Sequence, residues 1–360
     1  MKTKTLLDII NQEIPLNTAE DWDNVGLMIG DTEREVTGIL TSLDCTLDVV
    51  FEAKSKNINT IICHHPLIFS GIKSIHNNGY GEIIHELIKS EINLIALHTN
   101  LDAHPQGVST MIAETLSLQD IEILIPSQMT MHKLQVFVPT EYAEQLKSAL
   151  AEVGAGKIGN YDHCFFSLKG TGEFRGLEGA NPFVGNKGDI HYEEEVKIEC
   201  VFKQNLKQKV IETIQSVHPY ETPAFDIIAF DQEANFGTGV KAKLSHPMLL
   251  SEFAQLTKHT LKLDTVKMIG TDRRIETVGI IGGAGVSYMK EVQKKGIDVF
   301  MTGDIKYHEA HDLLMSGQAT LDISHYSEYV MKDGLKSLLE QYIDVRIFTS
   351  EINTNPFKTI

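Results

Sequence analysis

The sequence predicts an α/β core interrupted by a small inserted α+β domain. Three observations predict it. Apolar, strand-like runs alternate with helix-length amphipathic stretches over 1–126. The texture changes over 127–240, where the order strand, helix, strand, strand, helix, strand is that of a split-βαβ, ferredoxin-like domain. The first texture then returns over 241–360. Strands separated by helix-length crossovers argue for a largely parallel sheet. An insertion into a surface loop interrupts such a core with least disruption.

Each element has its own signal. In the first part, "TGILTSLD" (37–44) reads as a strand ending in an aspartate, and "LDVVFEAKSKN" (47–57) as a helix. "INTIIC" (58–63) is a buried-type strand that ends at His64 and His65. "GEIIHELIKS" (81–90) sets Ile83, Ile84, Leu87 and Ile88 at helical spacing. "INLIAL" (92–97) is the next strand, and Pro105 stands where a first helical turn would begin ahead of "GVSTMIAETL". In the middle part, "HKLQVFVP" (132–139), "EVKIECVF" (195–202) and "AFDIIAF" (224–230) read as strands. "EYAEQLKSALAEVG" (141–154) and "NLKQKVIETIQSVHP" (205–219) read as helices. The glycine-rich stretch over 170–188 matches neither GxGxxG nor GxxxxGK[ST] and reads as turns and loops. In the last part, "TVKMIG" (265–270), "TVGIIGG" (277–283), "DVFMTGD" (298–304), "ATLDIS" (319–324) and "DVRIFTS" (344–350) read as strands. Helices are expected over 285–296, 307–317 and 327–342, the last with Leu335, Leu338 and Leu339 on an apolar face.

Composition sets limits. A chain of 360 residues with 42% hydrophobic content can fill more than one core. Its 32 Lys and Arg against 49 Asp and Glu give a formal charge of -17. Such a surface repels phosphate backbones, so nucleic acid is not the expected partner. Four cysteines without CxxC spacing argue against a zinc ribbon or a disulfide framework. The opening "MKTKTLLDIINQ" is too soon interrupted for a secretory signal. No apolar stretch reaches about 18 residues, so no membrane partner is expected and the expected location is the cytoplasm.

The informative pattern is positional. Asp44 ends the first strand, His64 and His65 follow the second, and His98 ends the third with Asp102 four residues on. Asp304 ends "DVFMTGD" with His308 four residues beyond, and His325 follows "ATLDIS" with Glu328 three residues later. In open parallel sheets the ligand crevice lies outside the carboxyl ends of the strands. Neutral imidazole and carboxylate together suit zinc, iron, nickel or manganese. The donors exceed what one zinc needs, which favours two ions sharing a carboxylate or a water, with a bridging hydroxide as the nucleophile of a hydrolytic reaction. Blander readings stand beside these. Ser324 or Ser327 could cap a helix whose first turn holds Glu328. Asp102 could be a turn aspartate, and Asp44 and Asp304 helix caps. One ring of the His64–His65 pair could bond inward and the other stay exposed. His85, His218, His259 and His311 read as ordinary surface or boundary histidines. No GxSxG is present; Ser287 falls in a helical first turn, and Cys63 reads as a buried structural thiol.

Five motifs in order carry a resemblance. "AEDWDNVGLMIG" (19–30), "CHHPLIF" (63–69), "HTNLD" (98–102), "GDIKYHEA" (303–310) and "DISHYSE" (322–328) resemble the GTP cyclohydrolase 1 type 2 homolog family, the Nif-three-like dinuclear metal centre proteins. The resemblance implies a Nif-three-like α/β core with His64, His65, Asp102, His325 and Glu328 as metal ligands. It implies two divalent ions per subunit, zinc first, with iron, manganese and nickel open. Trp22, Asp23, Asn24, Asp44, His98, Asp304 and His308 would line the pocket or orient the ligating rings, and His98 or His308 could pass protons. Many relatives resemble a "GH" pair with a four-residue step to the glutamate; this chain has "SH" and a three-residue step. "HPYETPAFDI" (218–227) resembles the insert of larger members, a P-two and copper-tolerance-like domain. The resemblance also implies a ring-shaped homo-hexamer, a trimer of dimers. The implied function is a metal-dependent hydrolase of a small nucleotide-like metabolite; the alternative is a non-enzymatic metal-binding, regulatory or scaffold hexamer. The family name suggests GTP cyclohydrolase activity, but the sequence shows no guanine-reading element or P-loop.

Overall fold

In the computed structural model, which describes residues 1–359, the short apolar runs of the first part become strands buried along their whole length. Ile39–Ser42, Thr60–Cys63 and Asn93–Ala96 have every residue buried, as parallel strands covered on both faces must. Their five-stranded sheet has the order Gly26–Ile29, Asn93–Ala96, Thr60–Cys63, Ile39–Ser42, Ile347–Thr349. All neighbours are parallel except Gly26–Ile29. Side chains alternate between the two faces. Leu40, Ile61 and Leu94 are in register and pack on Val49, Val50 and Ala53 of the helix Leu47–Ser55 and on Ile83 and Leu87 of the helix Tyr80–Lys89. Ile39, Ile62 and Ile95 face the other way, into a core shared with Leu6, Ile10, Leu335 and Leu339.

The largely parallel sheet expected of the first part is present, and the core unit also holds strands of a second sheet. Arg274–Ile280, Val299–Thr302 and Ala319–Asp322 run parallel to one another. Phe225–Leu249 and Lys267–Ile269 flank them antiparallel. Strand patterning shows which residues are buried but not which strand pairs with which. Ile347–Thr349 leaves its sequence neighbours and pairs with Ile39–Ser42.

The chain divides into two compact units, Met1–Ser127 with Asn235–Ile360, and Gln128–Ala234. The second division falls at 234/235 rather than at 240/241. Val240 pairs with Ile280 and is buried in the core unit, so the strand Phe225–Leu249 enters that unit before residue 241. The inserted unit has the order strand Gln119–Pro139, helix Ala143–Glu152, strands Phe166–Arg175 and Ile190–Lys203, helix Lys207–Val217, strand Phe225–Leu249. Leu134, Val136, Ile198 and Phe202 pack there against Leu146, Leu150, Val210 and Ile214. The glycine-rich stretch is only partly loop. Residues 170–175 continue the strand Phe166–Arg175, in an antiparallel hairpin with Ile190–Lys203. Among the described residues, no helix is long and apolar enough to cross a membrane.

Two helix starts are capped without the aspartates that precede them. Thr46 caps Leu47–Ser55 by accepting from the Val49 N–H. Glu309 folds back to accept from the Lys306 N–H at the start of Tyr307–Met315. Neither Asp44 nor Asp304 is therefore a helix cap, and both carboxylates are free for other partners.

Candidate metal centre

The two adjacent histidines reach one site because the strand stops at Cys63. The N–H groups of His64 and His65 both turn onto the Leu43 carbonyl, at 3.1 and 3.0 Å. Strand alternation is thereby broken, and the ring centroids stand 5.1 Å apart.

His64 is wholly buried. Its Nδ1 lies 2.8 Å from the Leu97 carbonyl, to which it must donate, so Nε2 carries a bare lone pair. That Nε2 faces Asp102 Oδ1 at 3.6 Å and Glu328 Oε2 at 3.8 Å. Among the described residues neither His64 Nε2 nor Asp102 Oδ1 has a hydrogen-bond partner, though both atoms are buried. Burial pushes the His64 pKa down to about 3, so the ring is neutral. Burial and the nearby Glu328 charge raise Asp102 well above the usual carboxylate range. Lone pairs converging in a dry place are costly without a cation between them.

His65 and His325 are set up differently. His65 Nδ1 donates to Asp44 Oδ1 at 2.7 Å, and His325 Nδ1 donates to Asp304 Oδ2 at 2.7 Å. The carboxylates fix each ring's orientation and leave Nε2 pointing inward. The two Nε2 atoms are 3.2 Å apart and converge on Glu328 Oε2, at 3.1 Å from His65 and 3.2 Å from His325. Burial opposes the His65 cation, but hydrogen bonds to Asp44 and Glu328 outweigh it and push the pKa up to about 10. For His325 the hydrogen bond to Glu328 outweighs burial and pushes it up to about 9. Burial likewise opposes the Glu328 charge, yet the His325 and His65 hydrogen bonds hold it below the usual range. Asp44 is also held low against burial, by His65 and by Thr354, whose hydroxyl donates to Asp44 Oδ2 at 2.5 Å.

Local backbone chemistry explains the three-residue step. His325–Val330 is a 3-10 helix, in which residues three apart eclipse, so His325 and Glu328 lie on one face. Ser324 at its start accepts from the Tyr326 N–H, so the capping reading of Ser324 holds alongside the ligand reading of Glu328. Ser324 and Asp304 both have positive φ, 63° and 54°, which non-glycine residues adopt at a cost. Glu328 fits because backbone comes close without side chains. A Cβ at Gly283 (φ 58°) would lie 2.9 Å from Glu328 Oε1.

The structure thus brings His64, His65, Asp102, His325 and Glu328 together. Three sets of donor atoms each lie within 4.8 Å of one another: His64, Asp102 and Glu328; His65, His325 and Glu328; and His64, His65 and His98. The first two sets share Glu328. The donors, and the two orphaned buried atoms, fit a site for metal ions. His98, read from sequence as a proton carrier or pocket residue, enters as a fourth imidazole; its place at a strand end was the same signal as that of His64. Asp23 fixes it, accepting from His98 Nδ1 at 2.9 Å and from the Thr99 N–H and hydroxyl at 3.0 and 2.6 Å. Those bonds outweigh burial and hold Asp23 below the usual range. Trp22 is exposed beside His98. Asn24 props the loop after His65 by donating to the Ile68 carbonyl at 2.5 Å. His308 is exposed on Tyr307–Met315, against Tyr307, and joins none of the three sets among the described residues. Thr354 and the glycines at 282 and 283 escaped sequence reading; only the "GG" after a strand hinted at a close backbone approach.

Comparison with known proteins places the chain in a family. A family model for Duf34/NIF3 (NGG1p interacting factor 3) matches residues 1–356. The chain is 45% identical over 364 residues to the GTP cyclohydrolase 1 type 2 homolog of Staphylococcus epidermidis, covering 99% of this chain and 100% of that protein. It matches a crystal structure of the Staphylococcus aureus protein SA1388 with TM-score 0.89 and 43% identity, over 100% of this chain and 99% of that one. A crystal structure of a Bacillus cereus protein related to NIF3 matches with TM-score 0.82 and 37% identity, over 100% and 99% of the two chains. With a family match over nearly its whole length and relatives of this identity, the chain belongs to the Duf34/NIF3 family.

Proposed function

We propose that the protein is a metal-dependent hydrolase acting on a small nucleotide-like metabolite, with two divalent ions, zinc first, held by His64, His65, Asp102, His325 and Glu328. One observation carries the reading. The buried Glu328 carboxylate is shared by two donor sets, one of which contains two orphaned buried atoms. When bound, a pair of divalent ions supplies Lewis acidity and lowers the pKa of water. The chain's own residues do the rest. Asp44 and Asp304 orient the rings of His65 and His325. His98, oriented by Asp23, is placed to hold or pass a proton at the edge of the cluster. The relatives' name makes GTP the first substrate to try. The reading extends to a cytoplasmic homo-hexamer, a trimer of dimers, with neither nucleic acid nor membrane as partner.

The test is metal analysis of protein purified without chelators, with anomalous diffraction at the site, and a screen of nucleotide, phosphate and amide substrates. Two ions per chain are expected. The double variant His65→Ala with Glu328→Gln should lose both metal and turnover. Turnover persisting in the metal-free double variant would sink the mechanism. A second reading is metal binding or regulation without turnover, since the donor clusters by themselves account for the converged side chains.

A further inference from the structure

Trp22 is the single tryptophan of the chain, and it stands 58% exposed; Phe69 beside it is 52% exposed. Large aromatic side chains supply most when buried, so two of them side by side in water call for an occupant. Their rings are stacked, with centroids 5.7 Å apart and planes 29° apart. That spacing leaves no room for a third ring between them, so a ligand ring would stack on the outer face of the pair. The face borders the metal centre through a single imidazole. His98 lies 6.1 Å from Trp22 and 6.5 Å from Phe69, and 5.1 Å from His64 and 5.7 Å from His65, centroid to centroid. It is also braced. Asp23 accepts from His98 and Thr99, and the Asn24 side chain donates to the Ile68 carbonyl, so the segments carrying Trp22 and Phe69 are stapled together. A flat, pre-formed π surface next to polar, cation-seeking groups selects flat ligands with a polar edge.

We propose that Trp22 and Phe69 form a binding platform for the planar heteroaromatic ring of a small molecule, whose polar edge extends past His98 toward the donor cluster. In identifying that molecule as the substrate, the proposal rests on the hydrolase reading; the platform itself does not. An aliphatic metabolite of the same size gains nothing from the stack.

The single tryptophan makes the test direct, because the emission of the whole protein reports on this site. Zinc-loaded and metal-free full-length protein are titrated with adenosine and guanosine, with ribose as the ring-free control. Saturable quenching by the nucleosides and none by ribose is expected. Phe69→Ala, which keeps the reporter, should weaken binding by roughly 5- to 150-fold, the range for loss of one stacking partner. Trp22→Ala, followed by calorimetry, should weaken it to a similar extent. Unchanged metal content and melting temperature in both variants show that the site and fold are intact. Absence of saturable quenching with either nucleoside, in either metal state, overturns the platform. So does equal affinity in Phe69→Ala, or emission that shifts on dilution of the protein but not with nucleoside, which would mean a second copy covers the rings. Turnover separates the two readings. Nucleoside binding with no hydrolysis of any screened compound removes the hydrolase and leaves the platform. Hydrolysis of a ring-bearing substrate with KM unchanged in Phe69→Ala removes the platform and leaves the hydrolase.

Discussion

Gly303 holds the turn that carries His325 in place, and replacing it with alanine should displace that ring. The Gly303 N–H donates to the Gly283 carbonyl at 2.7 Å. A Cβ at residue 303 would lie 2.7 Å from the His325 nitrogen, 2.8 Å from the Ser324 carbonyl carbon and 3.1 Å from the Gly283 oxygen. All three are backbone atoms, so no side chain can swing away. Relaxing the two shorter contacts to about 3.5 Å requires a shift of about 0.7–0.8 Å. A preorganised site tolerates about 0.5 Å. Forcing a methyl into such a place costs about 1–3 kcal/mol, which in a unit of this size lowers Tm by roughly 2–12 °C. Loss of orientation at one ligating ring should weaken metal retention by about 10- to 100-fold. The assays are thermal melting and competition with a graded chelator, followed by metal analysis. Gly170→Ala, where an added Cβ meets nothing within 4 Å, is the control and should change neither. If Gly303→Ala melts with the wild type and keeps its metal, backbone proximity at this turn does not position His325, and the reasoning is refuted.

The carboxylates and rings give two more expected outcomes. Thr354→Val removes the hydroxyl that donates to Asp44 Oδ2; a hydrogen bond to a charged group contributes about 1.5–3 kcal/mol, so Tm should fall by several degrees and metal retention should weaken, with Thr354→Ser restoring both. Differential scanning with and without added zinc reads both effects. In metal-free protein, His65 and His325 have pKa values raised to about 10 and about 9. The stability they contribute is full below about 6.5, the ordinary imidazole value, and is lost as pH rises through 9 to 10. Melting of chelator-treated protein should therefore fall between pH 7 and 10, and Glu328→Gln, which removes the shared partner, should flatten that slope. A slope identical in the variant would show that the shifts arise elsewhere.

Much of the centre is legible in the sequence because strand ends are. His64, His65, His98 and Asp102 each stand within a few residues of a strand of the first sheet, where the topology gathers them. The rest depends on information that patterning does not carry. His308 follows Asp304 by four residues much as Asp102 follows His98. Spacing shows that two residues can share a face but not which face turns inward, and in Tyr307–Met315 only Leu313 is buried. The three-residue step from His325 to Glu328 puts both on one face of an α-helix or of the 3-10 turn that forms, so the spacing alone does not tell which one forms. Thr354 lies in an irregular stretch with no periodicity, so nothing local marks its reach to Asp44. Strand pairing is hidden for a related reason: every strand has the right composition, but Ile347–Thr349 pairs with Ile39–Ser42 in a core it shares with Leu335, Leu338 and Leu339, and local patterning does not show that.

His65 and Glu328 touch across 263 residues of chain. A ribosome emits His64, His65 and His98 long before His325 and Glu328, with the whole inserted unit made in between. The donor cluster therefore cannot close until Glu328 has been made, after the inserted unit. Loop-closure free energy grows only with the logarithm of length, so the insert Gln128–Ala234 adds about 0.5 kcal/mol or less to that closure. A domain of any comparable size could occupy that position with little effect on whether the two halves of the centre meet.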